Sequence, residues 1–515
     1  MTIFLVLLSI SLAVRLLVVK DAIAGFDTTG HLYFAKEVKS QGVSPFDTIK
    51  LRIVASGDYR QPFLWHWLVG RLPIVSILRH QKYLNSAIDG AFAVSTYYFA
   101  VWINLPDRLA FLVFLLYLLT PMWFSRLAIG PRIAGFTPRL FAEMCTNLFF
   151  VVTFLPLPIG TESKLALGTV LSCFVLLSSK FGVQALLFLV PLAALIGHNF
   201  LALESFFLSI LLSFAITKGA FIRTLASQVE HLAWYFKRNI QGKMAISDRN
   251  SLKLLFARDR SQTGLKQLEV SAERWIVLNS FTSTLIKMPV VAVVSVLLVL
   301  SVGMHGEASS IPITVVAPVL AATMLFLLIN IPHLLFLGEA ERYLNHVAVF
   351  IVLSLVMLLG PDGNLHWIIY FLIGYGLVYW MVEAFFLKIF EHVQRKKEAV
   401  NCAVIVYLQG AERHHSIVCY PYHAVGVWRI MLETQHSVVY PLLSTGRMRE
   451  FETSYPFVDL SLLDEMHAEY GIDLLVISRK SLGDKGLDSW KPSSRWTRAD
   501  VGAPLYEIYV REESK

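Results

Sequence analysis

Charged residues are scarce in this 515-residue chain: Asp, Glu, Lys and Arg make up 16% of it, whereas hydrophobic residues make up 56%. A globular protein averages roughly 25% charged residues because its water-facing surface must be polar. Too little charge is present to cover several soluble domains, so most of the chain must face lipid. The four cysteines exclude a disulfide scaffold. The aromatic content of 13% excludes a disordered chain.

Three kinds of sequence motif are also absent. No basic n-region precedes the first apolar run, so a helix over 2–19 is expected to be retained rather than cleaved as a signal peptide. No internal repeat supports an inverted-repeat transporter. No Gly-rich fingerprint for a nucleotide occurs, which fits a lipid-linked substrate better than a nucleotide-linked one.

Long apolar runs make up most of residues 1–390. In a helix, about 20 apolar residues are needed to cross roughly 30 Å of hydrocarbon. The sequence therefore predicts a polytopic α-helical membrane domain over residues 1–390, in an integral membrane protein of the cell or inner membrane. Its spans, about eleven, are expected near 2–19, 84–103, 108–124, 139–157, 164–179, 182–198, 200–216, 281–304, 312–331, 345–360 and 364–389.

Three segments fall outside these spans: a first loop over 20–83, a stretch over 218–280 and the tail over 391–515. The second stretch could be an interfacial amphipathic segment or a plain connector. In the tail, a helical stretch over 460–470 alternates with β-rich runs, which predicts one small soluble α/β domain. These runs are 403–407, 416–419, 437–440, 472–477 and 505–510.

The positive charge belongs to the membrane part. Residues 1–390 hold 30 basic and 20 acidic residues, an excess of +10, whereas the tail holds 15 basic and 17 acidic residues. Basic loops attract anionic lipid headgroups and phosphates, so no nucleic-acid partner is needed to explain the charge. Short connectors such as 104–108 are expected on the cytoplasmic side, which would place the first loop and the tail on the outer side of the membrane. The basic cluster 394–397, just after the last span, instead favours the cytoplasmic side for the tail.

The first loop opens with an acid close to the end of a predicted span, in the run Gly25-Phe-Asp-Thr-Thr-Gly-His31. A carboxylate at the membrane boundary is partly desolvated, and an acceptor hydroxyl can reach it. His31 follows Asp27 by four residues, so a helix that starts near Thr28 would carry both side chains on one face. Capping of that helix by Asp27 is the structural alternative, and spacing alone favours neither.

A second acid follows in the same loop, in the run Gly57-Asp-Tyr-Arg-Gln-Pro-Phe-Leu-Trp-His-Trp67. Asp58 and Arg60 could form a surface ion pair, and Trp65 and Trp67 could form an interfacial belt. A functional role is favoured because two acids fall within one loop.

A third motif, Gly338-Glu-Ala-Glu-Arg-Tyr-Leu344, lies between two predicted spans. The guanidinium of Arg342 offers a rigid fork of donors that matches phosphate oxygens. Snorkelling of Arg342 to the lipid headgroups is the alternative. Snorkelling does not require both Glu339 and Glu341 beside the arginine.

Together these motifs resemble the GT-C superfamily of integral-membrane glycosyltransferases, which take a sugar from a polyprenyl-phosphate carrier at the extracytoplasmic face. In that superfamily an Asp or Glu opens the first large loop, as Asp27 does, often followed by a His such as His31. The run from Asp58 resembles the acid-then-Pro-Pro-Leu stretch of the protein mannosyltransferase and aminoarabinose transferase branch, with Gln61 in place of one Pro. The run 339–343 is similar to the His-Lys-Glu-x-Arg-Phe motif of dolichyl-phosphate-mannose-dependent mannosyltransferases, without its His-Lys part.

The resemblance implies a role for each residue. Asp27 would deprotonate or orient the acceptor hydroxyl, Asp58 would position acceptor or donor, and His31 would assist. Arg342 would bind the phosphate of the lipid carrier, with Arg60 as a second contact. The supporting residues would be Glu339, Glu341 and Tyr343. The donor sugar, hexose or pentose, stays open, and so does a divalent cation, because only some members of the superfamily use one.

The implied reaction is transfer of a sugar from a polyprenyl-phosphate-linked donor to a hydroxyl of an envelope glycan, lipid or protein, with inversion. Direct displacement needs a base on the acceptor side and positive charge where the leaving phosphate gains negative charge. The alternative is a transporter or flippase of a lipid-linked saccharide, whose ionisable residues would lie in broken helices near the bilayer midplane. Here many acids lie in loops or at helix ends, which favours the enzyme.

Two further features carry less weight. The run Ser178-Ser-Lys-Phe-Gly182 resembles a Lys-containing turn of many GT-C proteins, but a lone Lys in a short loop is more often incidental. His414 and His415 suggest a metal, yet no cysteine completes a set with ligand spacing, and a solvated loop is the better interpretation.

Overall fold

The computed structural model describes residues 2–19, 25–126, 132–240, 250, 271, 274–304, 311–359 and 366–511, apart from 423, 442, 445, 455 and 488. The chain packs as two compact units. The first unit comprises Met1–Ala24, Gln61–Trp65 and Arg79–Phe385. The second comprises Gly25–Arg60, His66–Leu78 and Phe386–Lys515.

Apolar runs fold as helices because in lipid every backbone N–H and C=O must be hydrogen-bonded within the segment. Each of the predicted spans overlaps a helix or a pair of helices. The described α-helices are α1 (Thr2–Val19), α2 (Phe26–Ser40), α3 (Leu64–Gly70), α4 (Ile74–Trp102), α5 (Asp107–Leu119), α6 (Pro121–Phe124), α7 (Pro138–Phe154), α8 (Thr161–Leu176), α9 (Lys180–Gly197), α10 (Phe200–Ile216), α11 (Ala220–Ile240), α12 (Ser280–Lys287), α13 (Pro289–Met304), α14 (Ile313–Ile329), α15 (Glu341–Asn345), α16 (Ala348–Leu359), α17 (His366–Gln409), α18 (Val427–Glu433), α19 (Leu463–Tyr470) and α20 (Arg479–Asp484).

By length and composition, three of these helices can cross a membrane: α1, α9 and the part of α17 over His366–Lys388. Two pairs meet the same criterion together but bend sharply, α10 with α11 by 112° and α12 with α13 by 93°. The described residues therefore supply three spans, or up to five if each bent pair is one span. The polytopic helical class is confirmed, and the count of eleven spans stays a prediction.

The stretch predicted as amphipathic, 218–280, is described only in part. Within α11, the exposed side chains Ile222, Val229 and Phe236 recur every seven residues, which places them on one face of the helix. Placement of this face in the membrane interface stays a prediction.

The tail forms a five-stranded mixed sheet, which confirms the small α/β domain. Its strands are β3 (Ser416–Tyr420), β4 (Ser437–Val438), β7 (Leu474–Ser478), β8 (Trp496–Ala499) and β9 (Tyr506–Arg511), in the order β4-β3-β7-β9-β8. Strand β3 is parallel to β4 and β7, whereas β9 is antiparallel to β7 and β8. Two short antiparallel pairs complete the described strands, β1 (Ile49–Lys50) with β2 (Asp58–Tyr59) and β5 (Glu452–Ser454) with β6 (Phe457–Val458).

The strand predicted over 403–407 is wrong, because α17 continues through it to Gln409. The buried side chains there are Val404, Ile405 and Leu408, whose spacing is that of one helical face rather than of an alternating strand. The β-branched composition of this run suggested a strand, but helical packing overrides that preference.

Helix α2, from the first loop, packs within the second unit against α18. The ring of Phe34 lies 5.1 Å from the ring of Trp428, and a Cβ added to Gly30 would lie 3.1 Å from the same indole. The Lys36 ammonium donates to the carbonyl of Leu432 at 2.8 Å. Residues 25–60 thus share a compact unit with the tail.

Candidate functional site

Asp27 lies in the first turn of α2. The helix begins at Phe26 and its N-cap is Gly25, so the alternative that Asp27 caps the helix is wrong. The carboxylate is exposed, and it has no hydrogen-bond or ion-pair partner among the described residues. The first turn of a helix is a favourable place for negative charge. An exposed carboxylate without a partner is able to accept a proton from an incoming hydroxyl.

His31 does not pair with Asp27, although four residues separate them. Its Nδ1 lies 2.9 Å from Nε2 of His66, on α3, so one of the two rings donates to the other. His66 is buried and His31 is half-buried. The structure therefore brings His31 to a second histidine that the sequence did not single out.

Asp58 opens strand β2 opposite Lys50 and is exposed. No ion pair joins it to Arg60, which is half-buried, so the alternative of a surface pair is wrong. Trp65 is buried against Phe136, with ring centroids 5.0 Å apart, and does not belong to an interfacial belt.

Arg342 lies on the five-residue helix α15 in the first unit. Its Nε lies 2.9 Å from Oε2 of Glu339, and its guanidinium lies 5.6 Å from the centroid of the Phe181 ring. Glu341 and Tyr343 on the same helix are buried, and Tyr343 packs against Phe181 at 5.0 Å. The guanidinium of Arg342 is thus held within the protein by an ion pair and a ring contact.

The Lys-containing turn and the motif at 338–344 come together around Phe181. Helix α9 begins at Lys180, with Ser179 as its cap. One turn later, Gln184 donates to the carbonyl of Leu337 at 2.8 Å, directly before the motif. Lys180, given little weight from the sequence, thus lies in the same part of the first unit as Arg342.

A network of buried ion pairs also lies in the first unit. The carboxylate of Asp89 lies 2.7 Å from Nε of Arg15 and 2.9 Å from Nη2 of Arg132, and all three side chains have no exposed surface. Arg132 lies 3.3 Å from Glu143, which lies 2.7 Å from Arg139. The network joins α1, α4, α7 and the stretch before α7.

Sequence reasoning missed this network. It emphasised acids in loops and at helix ends, whereas Asp89 is buried within α4 and Glu143 within α7. The signal was present: Arg15 and Asp89 are isolated charges inside apolar runs, and an ionisable residue in a span indicates a partner inside the protein. The Arg139–Glu143 spacing of four residues was a second signal.

The described residues contain no cluster of metal-ligating side chains. Within them, no three side chains of His, Cys, Asp or Glu come together as metal ligands would. His415 instead lies 2.9 Å from Asp473, and His414 lies 3.2 Å from the Ser437 hydroxyl. No step proposed below depends on a metal.

No protein-family model matches the sequence, and no curated protein matches it. Solved structures do match. ArnT from Cupriavidus metallidurans, bound to undecaprenyl phosphate, is similar over 99% of this chain and 98% of that chain, with a TM-score of 0.55 and 12% identity. ArnT is a GT-C glycosyltransferase. This chain has a GT-C fold.

A second GT-C enzyme supports this assignment. The Archaeoglobus fulgidus oligosaccharyltransferase, tethered to an acceptor peptide with the NVT sequon, is similar over 99% of this chain and 74% of that chain, with a TM-score of 0.51 and 12% identity. Its apo form has the same TM-score and identity over 96% of this chain and 73% of that chain. At 12% identity the likeness concerns the GT-C fold and assigns no residue of the site.

Proposed function

We propose that the protein is a membrane glycosyltransferase that transfers a sugar from a polyprenyl-phosphate-linked donor to a hydroxyl of an envelope glycan, lipid or protein. Transfer would occur at the extracytoplasmic face and with inversion. The observation that carries the proposal is the GT-C fold, shared over nearly the whole chain with ArnT bound to undecaprenyl phosphate. Whether the sugar is a hexose or a pentose is left open.

In this proposal the donor phosphate binds in the first unit, at Arg342. Lys180 lies beside Phe181, whose ring contacts the Arg342 guanidinium, and Arg139 lies within electrostatic reach of both Arg342 and Glu339. Two arginines, with Lys180 in the turn next to Phe181, suit a phosphate that gains negative charge as the glycosidic bond breaks. The N-terminal end of α9 adds the partial positive charge of its helix dipole.

The acceptor side is assigned to residues of the first loop. Asp27 would accept the proton of the acceptor hydroxyl, since its carboxylate is exposed and has no protein partner among the described residues. Asp58 would position the acceptor. His31 would assist through its contact with His66, and Arg60 would be a second phosphate contact.

The sequence argument against a flippase is weakened in part, because charged side chains are buried in the helices of the first unit. Asp89 there is saturated by Arg15, Arg132 and the Tyr117 hydroxyl, which donates to it at 3.1 Å. A carboxylate held by three protein donors is not available to a cargo. The enzyme is preferred on the fold, and the experiment below separates the two functions.

The test is the substitution Asp27→Asn in the full-length protein. Sugar transfer from the polyprenyl-phosphate donor should be lost, because the amide cannot accept the proton, while membrane insertion and folding are retained. Mass spectrometry of envelope glycans from cells that carry only the variant measures the loss and identifies the sugar. Asp47→Asn is the matched control, since Asp47 is an exposed acid of the same loop.

Full transfer by Asp27→Asn would rule out the role of Asp27 as base. A flippase would be supported if cells without the protein lack the lipid-linked sugar at the outer leaflet while the purified protein transfers no sugar. Loss of transfer in Asp47→Asn as well would indicate damage to the fold rather than to the site.

A further inference from the structure

Glu143 is a carboxylate that contacts three segments of the first unit, although it is only 1% exposed. Its Oε1 accepts from Nε of Arg139 at 2.7 Å and from Nδ2 of Asn345 at 3.4 Å. Its Oε2 lies 3.3 Å from Nε of Arg132. One buried charge thus connects α7, the stretch before α7 and α15.

Asn345 is held from two further directions. The indole N–H of Trp123 donates to its Oδ1 at 3.2 Å, and Nδ2 of Asn147 donates to its backbone carbonyl at 2.8 Å. Asn147 also donates to the backbone carbonyl of Glu143. Arg342 precedes Asn345 by three residues on the same short helix, so the contacts that hold Asn345 also hold the backbone that carries Arg342.

Loss of the Glu143 charge would redirect Arg139. With Glu143 neutral, Arg139 would lose this ion-pair partner, whereas Arg132 would keep Asp89 at 2.9 Å. Glu339 is within electrostatic reach of Arg139, and it is the acid that pairs with Arg342 at 2.9 Å. Arg139 and Arg342 would then compete for one carboxylate, and both guanidinia would leave their present positions.

We infer that Glu143 is a positioning residue for the donor: it holds Arg139 directly, and Arg342 through Asn345, in the arrangement that binds a lipid-linked phosphate. The inference rests on the proposed function and assigns a role to a residue that does not itself touch the phosphate. A carboxylate cannot be the direct ligand, because it would repel the anion. Its effect should therefore appear in donor binding rather than in the chemical step.

The test uses the purified full-length protein in detergent with undecaprenyl phosphate as the probe. Glu143→Gln keeps the shape of the side chain and removes its charge. We expect at least about tenfold weaker binding of the probe, which corresponds to about 1.4 kcal/mol. In sugar transfer, the KM for the donor should rise by a similar factor while kcat changes less than about twofold.

Glu383→Gln is the matched control for the loss of a buried carboxylate. Glu383 is 4% exposed and accepts from the Ser125 hydroxyl at 3.1 Å and from the backbone N–H of Arg126 at 2.6 Å. Both variants should lose thermal stability, but only Glu143→Gln should lose affinity for the probe. Equal loss of stability with unchanged affinity in both variants would overturn the positioning role.

A double-mutant cycle with Arg139→Gln tests whether Glu143 acts through Arg139. If it does, the double variant should bind the probe about as weakly as the weaker single variant. Additive losses would contradict the inference. If Arg342→Gln loses the probe while Glu143→Gln retains it, only this inference fails. If Arg342→Gln binds the probe as the native protein does, the phosphate assignment fails and this inference falls with it.

Discussion

Asp89 provides the sharpest test of the buried network. Its two carboxylate oxygens neutralise Arg15 and Arg132 at 2.7 and 2.9 Å, and none of the three side chains is exposed. The substitution Asp89→Asn removes the charge and presents an amide NH₂ to a guanidinium that can only donate. Breaking a buried ion pair by removing one partner costs about 3–5 kcal/mol, because the remaining charge stays buried without compensation.

Thermal unfolding of the purified protein in detergent, at one fixed scan rate, measures this cost. The entropy of unfolding is about 2.1 cal/mol/K per residue, so in a unit of more than 300 residues a loss of 1 kcal/mol lowers the midpoint by about 1.4 °C. Asp89→Asn should therefore lower the midpoint by about 4–7 °C. The control is Asp107→Asn, since Asp107 is exposed and its one side-chain contact among the described residues is the hydrogen bond that it accepts from the Tyr97 hydroxyl at 3.2 Å. The control should stay within about 0.5 kcal/mol, or about 1 °C.

The coupling between Asp89 and Arg15 refines the test. Once Asp89→Asn has been made, Arg15→Gln should cost less stability than it does in the native protein, because the pair is already broken. A midpoint for Asp89→Asn within about 1 °C of the native value would refute the reasoning. It would mean that burying Arg15 and Arg132 without the Asp89 carboxylate does not destabilise the protein.

Two further predictions concern packing and pH. An added Cβ at Gly376, on α17, would overlap the carbonyl oxygen of Leu119, whereas Gly374 has open space; Gly376→Ala should lower the unfolding midpoint by several degrees and Gly374→Ala should not. Burial lowers the pKa of His436 below 6.5, and its Nδ1 accepts the backbone N–H of His415 while its Nε2 donates to the carbonyl of Leu408. The unfolded chain therefore binds this proton more readily, so the free energy of unfolding should fall as pH drops below about 6.5 and stay level above it. His436→Gln, which can keep both hydrogen bonds, should remove that part of the pH dependence in denaturation curves; an unchanged slope would contradict the argument.

The sequence was sufficient to predict the fold class and to locate the three motifs along the chain. Composition required a lipid-facing chain, and the apolar runs marked the helices, because both are properties of local stretches. The run 403–407 shows the limit, since its β-branched residues predicted a strand and its packing made it part of α17. Strand β8 was not predicted because its four residues carry no alternating pattern of their own.

The candidate site divides in the same way. Asp27, Asp58 and Arg342 could be chosen from the sequence because each stands in a short motif beside a predicted span. Their tertiary contacts could not be predicted: His31 pairs with His66 rather than with Asp27, and the Lys180 turn lies beside the motif that contains Arg342.

The sequence by itself determined that this chain is a membrane protein, that it folds into helices with a small α/β tail, and that it carries motifs that resemble those of GT-C enzymes. Only the tertiary structure decided which charges neutralise one another. Asp89 lies 74 residues from Arg15, and Glu143 lies 202 residues from Asn345, so no local pattern announces either contact. The physical reason is that apolar burial follows from the run of side chains itself, whereas a buried ion needs a partner at about 3 Å. That distance exists only after the helices have packed.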